Sequence, residues 1–528
     1  MEQPYSGRKL TLMSRPTMGL WAGLVGLGFV GLLAANLSTE DGVLRLTILI
    51  VSIAFLIVAL GPLARGLFSG QGNFFELDRV FLLFFCLFAL SYPVGLAIDP
   101  EGVIVKSSAT SLTVRVWPLG LILKALLLCF LGLLGFRIGY RSRLATTFAR
   151  GLPALPEQWD PHRAYAVIYA YLILGILLYL RFVYDVGGFA SYLDVSYGGA
   201  AESYRVDQTR GYLKIGWVMI QVCLLLLYCV SRSNPRGSRL HRLFISCLYI
   251  IFIALSFMVG RRSHVVSLVL ATLAARHFLV RRLPPRTMAL LLGVGLMVML
   301  SFSYVRGYLS RGVGEAAQII EERFEPAWLD LSDSYFGSPY IWTMTDTLTS
   351  VPRDMDYWYG RSYVEAPLIL LPRTLVPDRP LPPSEWYSTT FHPTRYVLGY
   401  GFGFFIVGEA YLNFGPVGPL IVLFIYGLLF SGFDQYFRLH PKNISILVLF
   451  CLLFPECALT LNDGFAIFFK YFVRLAIIMA PLILFSRKWK LPQTMVQSRT
   501  ANPAGAPRFA AGTSTGCGIP TVQKKVRS

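Results

Sequence analysis

Long apolar runs separated by short polar connectors make up most of this chain. Runs of mainly apolar residues occupy 17–36, 45–63, 79–98, 116–136, 164–183, 212–230, 243–260, 263–280, 287–304, 415–433, 443–461 and 467–485. At about 1.5 Å per residue each is long enough to cross a hydrocarbon core of about 30 Å. The pattern predicts an all-α polytopic membrane protein with about 12 transmembrane helices. One interval breaks the rhythm, the hydrophilic stretch from Val305 to Phe414, between the ninth and tenth helices. It divides the chain into an N-terminal membrane region of nine helices (1–304), a long loop (305–414), a C-terminal membrane region of three helices (415–486) and a tail (487–528). The tail is rich in Pro, Gly, Ala, Ser and Thr, carries no acid and reads as disordered.

Composition agrees with the pattern. Hydrophobic residues make up 55% and charged residues 15%, whereas soluble domains carry about a quarter of their residues charged. The net charge of +19 has a topological explanation, because Lys and Arg of short loops stay on the cytoplasmic side. Arg8, Lys9 and Arg15 precede the first run; Arg137, Arg141, Arg143, Arg150 and Arg163 follow the fourth; Arg232, Arg236, Arg239 and Arg242 follow the sixth. Arg276, Arg281, Arg282 and Arg286, then Arg438 and Lys442, then Arg487, Lys488 and Lys490 continue the same alternation. Both termini are therefore expected in the cytoplasm and the long interval outside. The first apolar run lacks a small-residue cleavage pattern and is expected to stay as a helix. Seven of the eight cysteines lie inside apolar runs and Cys517 in the tail, so neither a disulfide framework nor a metal cluster is expected. No internal repeat is visible, which disfavours transporters built from two related halves.

Candidate chemistry lies on the outward side. Arg261, Arg262 and His264 sit at a tight turn between two spans. Two guanidiniums there need an anion, such as a lipid head group, or they snorkel to the interface. Arg306 and Arg311 follow at the end of the ninth span, and Arg353, Arg361, Arg373, Arg379 and Arg395 further on, with no Lys anywhere in the interval. Arginine grips phosphate oxygens with a planar fork that lysine lacks. Tyr and Trp are frequent between these arginines, a composition that suits either sugar binding or a membrane-interface belt. Residues 314–325 read as an amphipathic surface helix, and the prolines of 364–383 argue against regular helix there. Glu409 stands alone in an apolar, glycine-punctuated stretch. A carboxylate in that setting is either ion-paired with an arginine or serves as a base or hydrogen-bond acceptor.

The order of these motifs carries a resemblance. GRR (Gly260 to Arg262), YVRG (Tyr304 to Gly307), YGRSY (Tyr359 to Tyr363), LPRTLVPDRP (Leu371 to Pro380) and GEAYLNFGPVG (Gly408 to Gly418) resemble the bacterial Wzy-type oligosaccharide repeat-unit polymerases, relatives of the O-antigen ligases. The resemblance implies a GT-C-like glycosyltransferase of the bacterial inner membrane that needs neither metal nor cofactor. Its substrates would be undecaprenyl-pyrophosphate-linked oligosaccharides, and a chain-length regulator and a flippase would be partners. It further implies pyrophosphate binding by Arg261, Arg262, Arg306 and Arg373 with support from Arg311 and Arg379, and acceptor activation by Glu409 or His392. His392 is the counterpart available for the ligases' loop histidine, without their surrounding motif. Other readings are an O-antigen ligase, a polyprenyl-phosphosugar-dependent glycosyltransferase using Glu40 and Asp41, or a lipid-oligosaccharide flippase. A flippase should line its spans with charge, for which Lys124, Arg181, Glu456, Lys470 and Arg474 are the few candidates.

Overall fold

The computed structural model describes residues 41–68, 74–98, 117–157, 159–189, 191–192, 211–233, 238–259, 262–284, 287–288, 290–291, 293–295, 339–371, 376–397 and 402–486. Helices dominate these residues. The N-terminal part contains α1 (Asp41–Phe68), α2 (Leu77–Ile98), α3 (Leu119–Tyr140), the short α4 (Leu144–Gly151), α5 (Pro161–Asp185), α6 (Ile215–Ser233), α7 (Arg239–Met258) and α8 (Arg262–Leu279). Then come α9 (Pro339–Ser350), α10 (Arg361–Glu365), α11 (Pro383–Phe391), α12 (Pro393–Val397), α13 (Ile406–Phe414), α14 (Gly418–Leu439) and α15 (Ile444–Ser486). Nine segments among the described residues are long and apolar enough to cross a membrane, and Ser263–Leu279 forms a shorter apolar helix. All ten fall on runs read from the sequence. The runs at 17–36 and, in the main, 287–304 lie outside the described residues, as does the surface helix expected at 314–325.

The molecule is a polytopic membrane protein, and its outer faces show why. Ile173, Leu177 and Leu180 of α5, with Leu240, Leu243 and Ile250 of α7, are each more than half exposed. Water would penalise so much apolar surface, whereas lipid accepts it.

The tightest joint is between α3 and α14, and glycine makes it. A Cβ at Gly135 would lie 2.2 Å from the Leu420 carbonyl oxygen, and one at Gly139 would lie 2.0 Å from that of Phe424. From the other side, a Cβ at Gly427 would lie 2.2 Å from the Phe136 oxygen. Because lipid tails are as apolar as leucine, helix association in a membrane depends on such close approach.

Near one end of this joint a buried ionic cluster ties four helices. Arg137 donates to the Val58 and Ala59 carbonyls of α1 (3.0–3.2 Å) and pairs with Asp78 of α2 at 3.2 Å. Asp434 of α14 accepts the first amide of α2, Leu77 N, at 3.1 Å, and the Tyr140 hydroxyl also donates to it. Arg438 pairs with Glu76 at 2.8 Å. Arg137 and Arg438 are among the arginines that the charge pattern places on the cytoplasmic side.

The other end gathers the described part of the long interval. No regular α-helix runs through the proline-rich stretch among the described residues: α10 ends at Glu365 and passes into a 3-10 turn, Ala366–Leu370. Pro367 stands in the first turn of that element, where a missing N–H costs nothing. Ile369 and Ala366 pack on Ala466 of α15.

Two predictions follow from this packing. Gly135→Leu has no flexible neighbour to displace, because its obstacle is backbone, so purified protein should lose at least about 1–3 kcal/mol of stability, read as a lower Tm in detergent. Arg137→Ala removes the closer of the two guanidiniums at buried Asp78, leaving Arg79 at 3.7 Å, and should cost about 3–5 kcal/mol; an unchanged Tm would remove this cluster from the stabilising frame.

Candidate functional site

Glu409 is fully buried on α13, and no arginine among the described residues pairs with it. The ion pair considered from sequence is replaced by hydrogen bonds. The Ser362 hydroxyl donates to Glu409 Oε1 at 2.7 Å, and the Phe465 amide donates to Oε2 at 2.7 Å. Asn413, one helical turn beyond Glu409, donates from Nδ2 to Ser362 Oγ at 2.9 Å and to the Glu409 carbonyl at 2.8 Å. Its Oδ1 accepts the Ser362 amide at 3.4 Å.

Local sequence explains each partner. Ser362 is delivered by a reversal in YGRSY, where Tyr359 has φ 49° and Gly360 φ 91°; the second value suits glycine, which has no Cβ to clash. Phe465 has its amide available because α15 is broken at Gly464 (φ 74°, ψ −179°). That glycine is required twice over, since a Cβ there would also lie 2.6 Å from Glu409 Oε2. The carboxylate therefore sits at the start of the second half of α15, where free amides and the helix dipole favour negative charge. Just before the break, Asn462 presses so closely on the 402–405 segment that a Cβ on Gly403 would lie 1.7 Å from its Oδ1. That Oδ1 is buried without a hydrogen-bond partner among the described residues. Tyr363 stacks on Phe414 at 5.9 Å. Its burial, and after it the Glu409 charge, holds the phenol well above its ordinary pKa.

A second cluster is built around His392, at the end of α11. Its Nε2 lies 3.2 Å from the Tyr387 hydroxyl and 3.8 Å from Asp346 Oδ2. Tyr387 in turn donates its proton to Asp346. The imidazole stacks on Phe402 with centroids 4.4 Å apart, and 28% of the side chain remains exposed. Asp346 and Tyr387 are almost fully enclosed. Phe404 stands between the two clusters, 5.6 Å from the Tyr387 ring and against Gly408 on the other side.

The arginines fare differently. Arg261, Arg306, Arg311 and Arg373 lie outside the described residues; Arg262 opens α8, but its side chain lies outside them too. Arg379 donates from Nη1 to the carbonyls of Ile369 (3.0 Å) and Leu371 (2.8 Å), locking the 3-10 turn. Arg353 pairs with Asp354 and Arg361 with Glu365. His264 belongs to a buried chain, with Nδ1 3.0 Å from Gln221 Oε1, Gln221 Nε2 2.9 Å from Ser267 Oγ, and Ser267 donating to Glu456 Oε1 at 3.0 Å. Among the described residues no group of three or more His, Cys, Asp or Glu could hold a metal ion.

The family model for the O-antigen polysaccharide polymerase Wzy matches residues 42–491, which takes in both polar clusters and the break in α15. The chain belongs to that family. No curated protein and no solved structure matches it. As a Wzy-family protein it acts in O-antigen repeat-unit polymerisation, is glycosyltransferase-like and works on lipid-linked oligosaccharides at a membrane.

Glu409 and His392 were named from sequence as site residues; Ser362, Asn413, Gly464, Asp346 and Tyr387, which surround them, were not. The Asn-Asp-Gly turn at 462–464 was a usable signal, being a polar break in an apolar run. So was Asp346, a lone acid in the Thr-rich helix α9.

Ser362→Ala strands a buried carboxylate oxygen and should cost about 1–3 kcal/mol, visible as a lower Tm. Glu409→Gln should lower Tm and activity together, because it unseats the second half of α15. Lost activity with an unchanged Tm would instead mark Glu409 as the reacting base.

Proposed function

We propose that this chain joins undecaprenyl-pyrophosphate-linked repeat units at the outer face of the bacterial inner membrane, with both termini cytoplasmic. A sugar hydroxyl of one lipid-linked unit attacks the anomeric carbon of the growing chain on another. The new C–O bond forms as the bond to the pyrophosphate oxygen breaks, and its electron pair leaves with undecaprenyl pyrophosphate. The observation that carries this reading is the family match across 42–491, which includes the outward interval where both polar clusters are built.

In this reading the arginines stabilise the leaving group. Arg261, Arg262, Arg306 and Arg373 hold the pyrophosphate, with Arg311 and Arg379 in support, and fixed guanidiniums supply the charge compensation that a metal would otherwise give. Exposure divides the two base candidates. Glu409 is enclosed, with a donor on each oxygen, so its role is to hold the break in α15. His392 is the reachable group and activates the acceptor hydroxyl. A flippase delivers the substrates and a chain-length regulator sets when growth stops.

Purified protein given lipid-linked repeat units, and no nucleotide sugar, should produce a ladder of lengthening glycolipids. Transfer only onto a different lipid acceptor would indicate a ligase, and translocation without covalent growth a flippase. In cells, Arg261→Ala or Arg373→Ala at normal expression should leave single-repeat glycolipids, and normal polymer in both would overturn the pyrophosphate-holding role.

A further inference from the structure

We propose that Asp346 and Tyr387 are positioning residues that fix the His392 imidazole in one tautomer, with its basic nitrogen turned toward the acceptor sugar; this rests on the polymerase reading above. The argument is a proton count. A carboxylate accepts hydrogen bonds and a phenol has a single proton to give. Tyr387 gives that proton to Asp346. The contact of 3.2 Å between the Tyr387 oxygen and His392 Nε2 then needs its proton from the imidazole. Nε2 therefore carries the hydrogen, and Nδ1 is left with the lone pair.

The surroundings fit such a device. Asp346 comes from α9 and is 3% exposed, and Tyr387 is 1% exposed, so the charged end is sealed from water, where its field is strong. Stacking on Phe402 fixes the ring plane. Among the described residues His392 Nδ1 has no hydrogen-bond partner, while 28% of the side chain is exposed. The order is carboxylate, phenol, imidazole, open side, so that a nucleophile's base is oriented by a third group behind it. In the reaction the acceptor O–H gives its proton to Nδ1 as its oxygen bonds to the anomeric carbon. The imidazolium that results keeps Nε2–H directed at Tyr387 and Asp346, whose negative charge stabilises it. It later returns the Nδ1 proton to solvent or to the released pyrophosphate.

Full-length protein, assayed with the lipid-linked repeat unit isolated from cells lacking this chain, tests the coupling. His392→Gln should lower kcat about 100-fold or more. Asp346→Asn and Tyr387→Phe should each lower kcat about tenfold with KM changed less than about twofold, and neither should reduce the His392→Gln enzyme further. Equal losses in the wild-type and His392→Gln backgrounds would show a merely structural role and overturn the proposal, as would full activity of Tyr387→Phe. A second measurement does not depend on turnover. In protein labelled with 15N-histidine, the His392 signal, assigned by its absence in His392→Gln, should report Nε2–H in the neutral ring and a mixture of tautomers in Tyr387→Phe. Nδ1–H in the unmodified protein would overturn the proposal even if the ladder forms. If no ladder forms but the tautomer is as stated, the polymerase reading fails and the orienting contact stands.

Discussion

Inside a membrane every backbone amide needs a partner, and breaking a helix there frees several at once. In this protein α15 is broken at Gly464, and Glu409 takes the amide of Phe465. The reverse dependence is equally strong, because a buried carboxylate is tolerable only when donors surround it. The Ser362 hydroxyl and the helix start meet that need from two separate segments, and Asn413 holds Ser362 in place from the helix of Glu409 itself. The described part of the long interval is held to the membrane helices through this contact, backed by the packing of Ile369 and Ala366 on Ala466. The 402–405 segment is set by the same arrangement, and with it Phe402 and Phe404, against which His392 and Tyr387 are stacked.

Two polar clusters so near each other in the chain have opposite characters. Around Glu409 the donors satisfy both carboxylate oxygens and no side is left open. Around His392 satisfaction is one-sided, with Tyr387 and Asp346 behind the ring and exposure in front of it. The first arrangement suits a fastening and the second a group that acts on something outside.

How far these features were legible depended on the range of the interactions. Helices were legible because membrane thickness imposes a length on apolar runs, and all ten long or shorter apolar helices among the described residues fall on such runs. Glu409 was legible as a lone acid among apolar residues. Its partners were not, since Ser362 lies 47 positions away and Phe465 56, and nothing local links them. His392 likewise gave no sign of its setting, because Asp346 reaches it from another helix and Phe402 from beyond α12. The prolines of 364–383 do keep regular α-helix out of the described residues from Ala366 to Pro382; the one short element there is a 3-10 turn, with Pro367 in its first turn, where proline is tolerated. Arg379 caps the carbonyls of Ile369 and Leu371 and so ties down the 3-10 turn.

The glycine seam between α3 and α14 has a consequence for biogenesis. Its two faces are separated in the chain by almost every other element, including the whole 305–414 interval. Helix α3 enters the membrane early in synthesis and carries a groove of Gly132, Gly135 and Gly139 that nothing nearby in sequence fills. Only after α14 has been synthesised and inserted can backbone meet backbone there. Since glycine has no rotamers to lose, this late closure sacrifices no side-chain freedom at those positions. Order of synthesis thus leaves the glycine joint of the frame to be made among the last.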